Sequence, residues 1–161
     1  MNPNRTVRPA TLRCRAIAMT LLLAFSTALT AAEATQAVVY KSPTCGCCKG
    51  WVKHLRENGY QVDARDMRSV QPVKDAMGVP PRLRSCHTAI VDGYVIEGHV
   101  PADALARLLR ERPTIKGLSV PGMVMGTPGM EGPRQDPYTI IAFDDDGSTY
   151  VFERRPQGTS E

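Results

Sequence analysis

Between Ala37 and Lys41 the chain reads A-V-V-Y-K, a short β-branched and aromatic stretch ended by Ser42-Pro43-Thr44, which is the pattern of a buried strand feeding a loop. Trp51, Val52 and Leu55 then recur at helical spacing, and Asn58-Gly59 supply a left-handed stop, so a helix of about three turns is expected. Tyr60 to Met67 alternates apolar and polar residues and predicts a second strand. Val70 to Met77 predicts a short helix, closed by Gly78 and Pro80-Pro81. Thr88 to Val91 and Tyr94 to Glu97 flank Asp92-Gly93, the pair that type I′ hairpin turns prefer. Pro101 opens a further helix, with Asp103 near its positive end, an apolar stripe of Leu105, Leu108 and Leu109, and Pro113 as its close.

Strand, helix, strand, helix, hairpin, helix is the order of a minimal thioredoxin-like (glutaredoxin-like) α/β core, with a right-handed crossover in its first βαβ unit. Other α/β sandwiches share the pattern. Residues 113 to 137 carry Pro121, Gly122, Gly126, Pro128, Gly129, Gly132 and Pro133, so a long loop without regular structure is expected there, of the kind that is functional or disordered. Tyr138 to Phe143 and Thr149 to Glu153 flank an acidic turn and predict a C-terminal β-hairpin. The reading is therefore one domain over residues 37–153, followed by a flexible tail at 154–161.

The start of the chain changes the charge picture. Arg5, Arg8, Arg13 and Arg15 precede an apolar run from Ala16 to Leu29 and then small residues to Ala34, the signature of a secretory signal peptide. The run is shorter than the roughly 20 residues a membrane span needs, so residues 1–32 are read as cleaved and the protein as periplasmic, with no stable membrane anchor. The formal charge of +4 over 161 residues comes from 20 basic and 16 acidic side chains; removing four leader arginines leaves 16 of each. A near-neutral mature chain lacks the source of phosphate neutralisation that nucleic-acid binding requires, and nucleic acid is excluded as a partner.

Cys14 leaves with the leader, so four cysteines remain, at positions 45, 47, 48 and 86. Two structural bridges would have to pair within the crowded trio, which makes a disulfide framework the weaker account. A loop turning into a helix presents outward amides and a positive dipole to Cys45-Gly46-Cys47-Cys48, and thiolate is favoured there. Cys45 and Cys48 have the C-x-x-C redox spacing, but the third thiol of Cys47 would compete in disulfide exchange, whereas in a metal site it adds a soft donor. Thiolates and thioethers together select cuprous copper over zinc.

Met123, Met125 and Met130 lie in the Gly/Pro-rich stretch V-P-G-M-V-M-G-T-P-G-M-E without the periodicity of core residues, and Met125 and Met130 are the preferred thioether ligands. Met67 and Met77 are read as packing residues. Cys86, just before the third strand, is expected to meet the trio as a fourth thiolate, with His87 as ligand or as a donor orienting Cys86. His54, six residues beyond Cys48 on the helix, is expected to face solvent, and His99 to be structural.

Three ordered motifs, S-P-T-C-G-C-C-K-G-W, S-C-H-T-A followed by D-G-Y-V-I-E-G-H-V-P, and P-G-M-V-M-G-T-P-G-M-E, resemble the periplasmic copper-resistance family called CopG, catalogued as a domain of unknown function. The resemblance spans about Val38 to Phe152. It implies a thioredoxin-like fold and a copper-binding cysteine cluster, carried onto Cys45, Cys47, Cys48 and Cys86, with a part in converting or passing on cuprous and cupric ions during copper resistance. The family's late motif reads G-M-P where Val124 here follows Met123, which sets Met123 apart from the other thioethers.

The expected function is thus copper homeostasis, with Cu(I) held by Cys45, Cys47, Cys48, Cys86, Met125 and Met130. Enough thiolates are present for several ions to share, interconversion with Cu(II) is available, and another periplasmic copper protein is the expected recipient. The alternative from the residues is a thiol-disulfide oxidoreductase using Cys45 and Cys48. A third reading is a zinc-stabilised binding module.

Overall fold

A computed structural model describes residues 34–156. The proposed leader and the last five residues lie outside the described residues. Seven strands form one mixed sheet in the order β2-β1-β3-β4-β5-β6-β7. They are β1 (Gln36–Lys41), β2 (Gln61–Asp66), β3 (Thr88–Val91), β4 (Tyr94–Glu97), β5 (Gly117–Ser119), β6 (Tyr138–Phe143) and β7 (Thr149–Arg155). Pairs β1/β2 and β4/β5 are parallel and the other neighbours antiparallel. Helices α1 (Gly46–Glu57), α2 (Gln71–Ala76) and α3 (Ala102–Glu111) complete the mixed α/β fold. Among the described residues no helix is long and apolar enough to cross a membrane.

Strand periodicity sorts the core into two faces. Ala37, Val39, Ala89, Val91, Ile96, Leu118, Ile140 and Ala142 pack with Trp51, Val52 and Leu55 of α1 and Leu105 and Leu108 of α3. The alternate positions Ile90, Val95 and Ile141, with Phe143, meet Met77, Val79 and Leu83 in a smaller cluster on the other side. Met77 is thus a packing residue, as its sequence context predicts. Trp51 fills the centre of the larger face, its indole N–H donating to the Val100 carbonyl at 2.8 Å.

The β3–β4 turn has both central residues at positive φ, Asp92 at 48° and Gly93 at 87°, the backbone of a type I′ turn. The stretch after α3 departs from the expectation of an irregular loop throughout, because β5 adds to the edge of β4. Gly117 makes this possible: a Cβ there would lie 1.9 Å from the Val95 carbonyl oxygen, so no other residue permits the approach. β7 continues to Arg155, whose guanidinium bonds Asp103 of α3.

Candidate metal centre

Cys45 caps α1: its Sγ accepts the backbone N–H of Cys48 at 3.3 Å, so the local N-terminus holds the first thiol against the third. Cys45 and Cys48 are joined by a disulfide, and Cys47 and Cys86 are free thiols. Cys47 Sγ lies 3.3 Å from Cys45 Sγ and 3.9 Å from Cys86 Sγ. Sulfurs from two distant parts of the chain therefore converge, with one donor atom from each of Cys45, Cys47, Cys48 and Cys86 all within 4.8 Å of one another.

Two histidines also close on Cys86. His87 Nδ1 is 3.2 Å and His99 Nε2 3.1 Å from its Sγ, and these three residues also offer donors within 4.8 Å of each other. His99 Nδ1 meets the Pro128 carbonyl at 2.8 Å. A carbonyl only accepts, so Nδ1 carries the proton and the Nε2 lone pair of the neutral ring faces Cys86. His87 is wholly buried, 4.4 Å from the Trp51 ring centre and edge-on to His99 at 4.9 Å, and its Nε2 has no hydrogen-bond partner among the described residues.

Burial dominates the electrostatics. It pushes His87 well below the usual imidazole range, aided by His99 and the Lys74 ammonium, and it lowers His99. Both rings are neutral, the form that ligates metals. Burial, and then the neighbouring Cys47, pushes the Cys86 thiol up to about 12. The helix-start argument for thiolate thus does not extend to Cys86, which approaches from a buried loop and is a neutral thiol at pH 7.

The Cys86 loop is held by a buried ion pair. Glu97 Oε1 accepts the Lys74 ammonium at 2.5 Å and the Ser85 N–H at 2.6 Å, while Oε2 accepts the Thr88 hydroxyl at 2.6 Å. Glu97 therefore fixes the residue before Cys86 and the residue after His87. The methionine loop is held by glycine contact. A Cβ on Gly129 would come 2.5 Å from the Cys47 carbonyl oxygen and from Trp51 N, and one on Gly50 would come 2.7 Å from Gly129 Cα. Replacing Gly129 with alanine is expected to lift the Pro128 carbonyl off His99. Metal affinity should fall by roughly 10–100-fold, the scale of lost orienting contacts, although no ligand is removed; isothermal titration checks this.

Met125 and Met130 are half-buried on this same loop, three residues before and two after Pro128, while Met123 is 57% exposed. His54 does not face solvent as expected. It is half-buried, and its Nε2 accepts the Ala102 N–H at 3.0 Å, capping α3, because α3 starts beside the middle of α1. His99, expected to be structural, lies in one donor group with Cys86 and His87, and a sequence signal for that placement existed. The two-residue turn fixes the register from Val91↔Tyr94 to Thr88↔Glu97, and two residues further along Cys86 falls opposite His99.

Fold and site together define a mixed α/β protein with a thiol-rich candidate metal centre. A family model described as "Protein of unknown function, DUF411" matches residues 83–130. Two solved structures, titled copper resistance protein copG, form 2 and form 1, are each 42% identical; they cover 77% of this chain and 100% and 99% of their own, with TM-scores of 0.73 and 0.72. No curated protein matches. The chain belongs to the CopG family of copper resistance proteins.

Proposed function

We propose that the protein is an exported, periplasmic copper-binding protein in which Cys45, Cys47, Cys48 and Cys86 hold Cu(I), with Met125 and Met130 as thioether donors from the docked loop. The observation that carries this reading is the convergence of the Cys86 sulfur, 3.9 Å from Cys47, on the cluster at the start of α1. Soft thiolates and thioethers are the donors cuprous ion prefers, and the relatives are titled copper resistance proteins. The strand order β2-β1-β3-β4, with the cysteines between β1 and α1, supports a thioredoxin-like core to which β5 to β7 are added. Residues 1–32 are the cleaved leader in this account, and 37–153 the metal-binding domain.

Copper is cargo here, and the thiols decide when it is held. Reduction of the Cys45–Cys48 disulfide by two electrons and two protons opens the full four-sulfur set, and more than one ion can share it. Closing the bond gives up two electrons and two protons; two Cu(II) ions that take one electron each become Cu(I), and two sulfur donors are withdrawn, a route to copper transfer. Binding at Cys86 displaces its proton. Because that thiol is pushed up to about 12, protons compete with copper throughout the neutral range. Cu(I) affinity is expected to rise as pH rises, about tenfold per unit for each displaced proton, and competition with a chromophoric chelator across pH 6 to 9 checks this.

The disulfide at the start of α1 also favours a second reading, a thiol-disulfide oxidoreductase using Cys45 and Cys48. Purification with and without air, followed by metal and free-thiol counts, separates the two. Copper bound to the reduced protein supports the first. Two intact disulfides, with refusal of Cu(I) after reduction, supports the second. Changing Met125 and Met130 together to leucine should lower copper affinity and leave disulfide exchange unchanged.

A further inference from the structure

The sheet has two open edges, β2 and β7, and they differ. The β6/β7 ladder is interrupted by a register shift between Ile140 and Ile141, a bulge of the kind that blunts an edge against pairing. β2 pairs with β1 in unbroken parallel register from Gln61 to Asp66. Its outer side is a straight run with no strand beside it among the described residues. We infer that the β2 edge is an interface between two copies of this chain, paired antiparallel about a two-fold axis at Ala64. The inference goes beyond the copper reading and does not rest on it.

Backbone direction sets the first constraint. Gln61 N–H bonds the Thr35 carbonyl at 3.0 Å and Met67 N–H the Lys41 carbonyl at 2.8 Å, so the odd-numbered residues of this stretch turn their backbone groups to β1. Val62, Ala64 and Asp66 turn theirs outward. In an antiparallel pair, residues that exchange backbone bonds sit directly opposite each other. An axis at Ala64 puts Ala64 opposite Ala64 of the second copy and Val62 opposite Asp66, so all three outward residues find partners. One of these groups is already engaged: the Val62 carbonyl accepts Arg56 Nη2 at 3.2 Å. Arg56 is exposed, so the Asp66 N–H of the second copy can take its place. The Asp66 carboxylate then arrives on the face of the sheet that α1, and with it Arg56, covers.

Charge sets the second constraint. Asp63 and Arg65 project from the opposite face, both exposed, with Arg65 Nε on Asp63 Oδ2 at 2.8 Å. The same axis brings Asp63 of each copy across from Arg65 of the other, in the class of pair whose side chains approach more closely. Arg65 spends Nε on Asp63 and Nη1 on the Tyr40 hydroxyl at 3.3 Å, which leaves guanidinium donors for a second carboxylate. Charge of one sign on an edge repels a copy, but β2 alternates in sign. Moving the axis by one residue, to Asp63 or to Arg65, sets like charges opposite each other, and parallel pairing does so at both positions. The charges therefore select one partner and one register. Because β1 and β2 run the same way, the cysteine loops that follow β1 lie at opposite ends of the joined sheet, and both stay open.

One strand edge is at the small end of protein interfaces, so a weak dimer is expected, with a dissociation constant of about 10–100 μM at low salt that rises as salt screens the charges. Sedimentation equilibrium up to about 1 mM, on protein purified from cells expressing the full chain, reads it. Asp63→Arg and Arg65→Asp should each weaken self-association by about tenfold or more, because each sets like charges across the axis. Mixed in equal amounts, the two variants should form a heterodimer, and Asp63→Arg/Arg65→Asp should regain the homodimer. Amide exchange of the wild type at high concentration should show added protection at Val62, Ala64 and Asp66. Circular dichroism checks the fold of each variant; should a single reversal misfold, the double reversal and the wild-type exchange pattern still decide. A chain that stays monomeric throughout the range overturns the inference. So does a dimer that both single reversals leave intact, or one whose added protection falls on the exposed Tyr150 and Val151 of β7 instead.

Discussion

Replacing Cys86 with serine is expected to weaken Cu(I) binding by more than about 100-fold while leaving the fold in place. Losing an orienting contact alone costs roughly 10–100-fold in metal sites, so losing a shared ligand should cost more. The hydroxyl is a hard donor, poorly matched to a soft ion. Serine is close to cysteine in size and Cys86 is only half-buried, so the change removes chemistry with little packing. Competition titration against a Cu(I) chelator under anaerobic conditions measures the effect. A variant that binds Cu(I) as the wild type does would remove Cys86 from the site.

Replacing Lys74 with methionine should be the most destabilising single change near the site. Lys74 is 1% exposed and Glu97 0%, so the substitution leaves a carboxylate buried without its counter-charge. Breaking such a pair from one side costs about 3–5 kcal/mol. For a domain of this size that corresponds to a fall in melting temperature of roughly 10 to 25 °C. Pairing the change with Glu97→Leu removes the orphaned charge and should restore part of the loss. The Ser85 N–H then lacks its acceptor, at a remaining cost of about 1–3 kcal/mol. Copper affinity should fall in the double variant even where stability recovers, because Glu97 ties the residues on both sides of Cys86 and His87. Thermal denaturation of the single and double variants, followed by Cu(I) titration, separates the two roles.

Much of this was legible in the order of residues. Local signals carry the A-V-V-Y-K strand, the helix behind the cysteines and the Asp92-Gly93 turn, since periodicity, caps and turn chemistry act over a few residues. The approach of Cys86 to the trio follows from the same pattern, because a loop before β3 must come beside the start of α1 once β1 and β3 pair. What escaped is set by tertiary contact. Gly117 reads as a loop residue and lies in a strand, because only the Val95 carbonyl beside it reveals why a side chain is forbidden. Lys74, in a six-residue helix, looks solvated until Glu97 is placed across from it. His54 seems to point to solvent until α3 arrives with an N–H to satisfy. His99 needed the hairpin register carried two residues past the paired segment, a step that requires trusting the turn.

Copper X-ray absorption on the reduced, anaerobically loaded protein reads the donor atoms around the ion. The expected result is a first coordination shell of sulfur around Cu(I), contributed by three or more thiolates and disrupted in the Cys86→Ser variant. A shell dominated by nitrogen or oxygen in the wild type, or a sulfur shell that Cys86→Ser leaves intact, would contradict it.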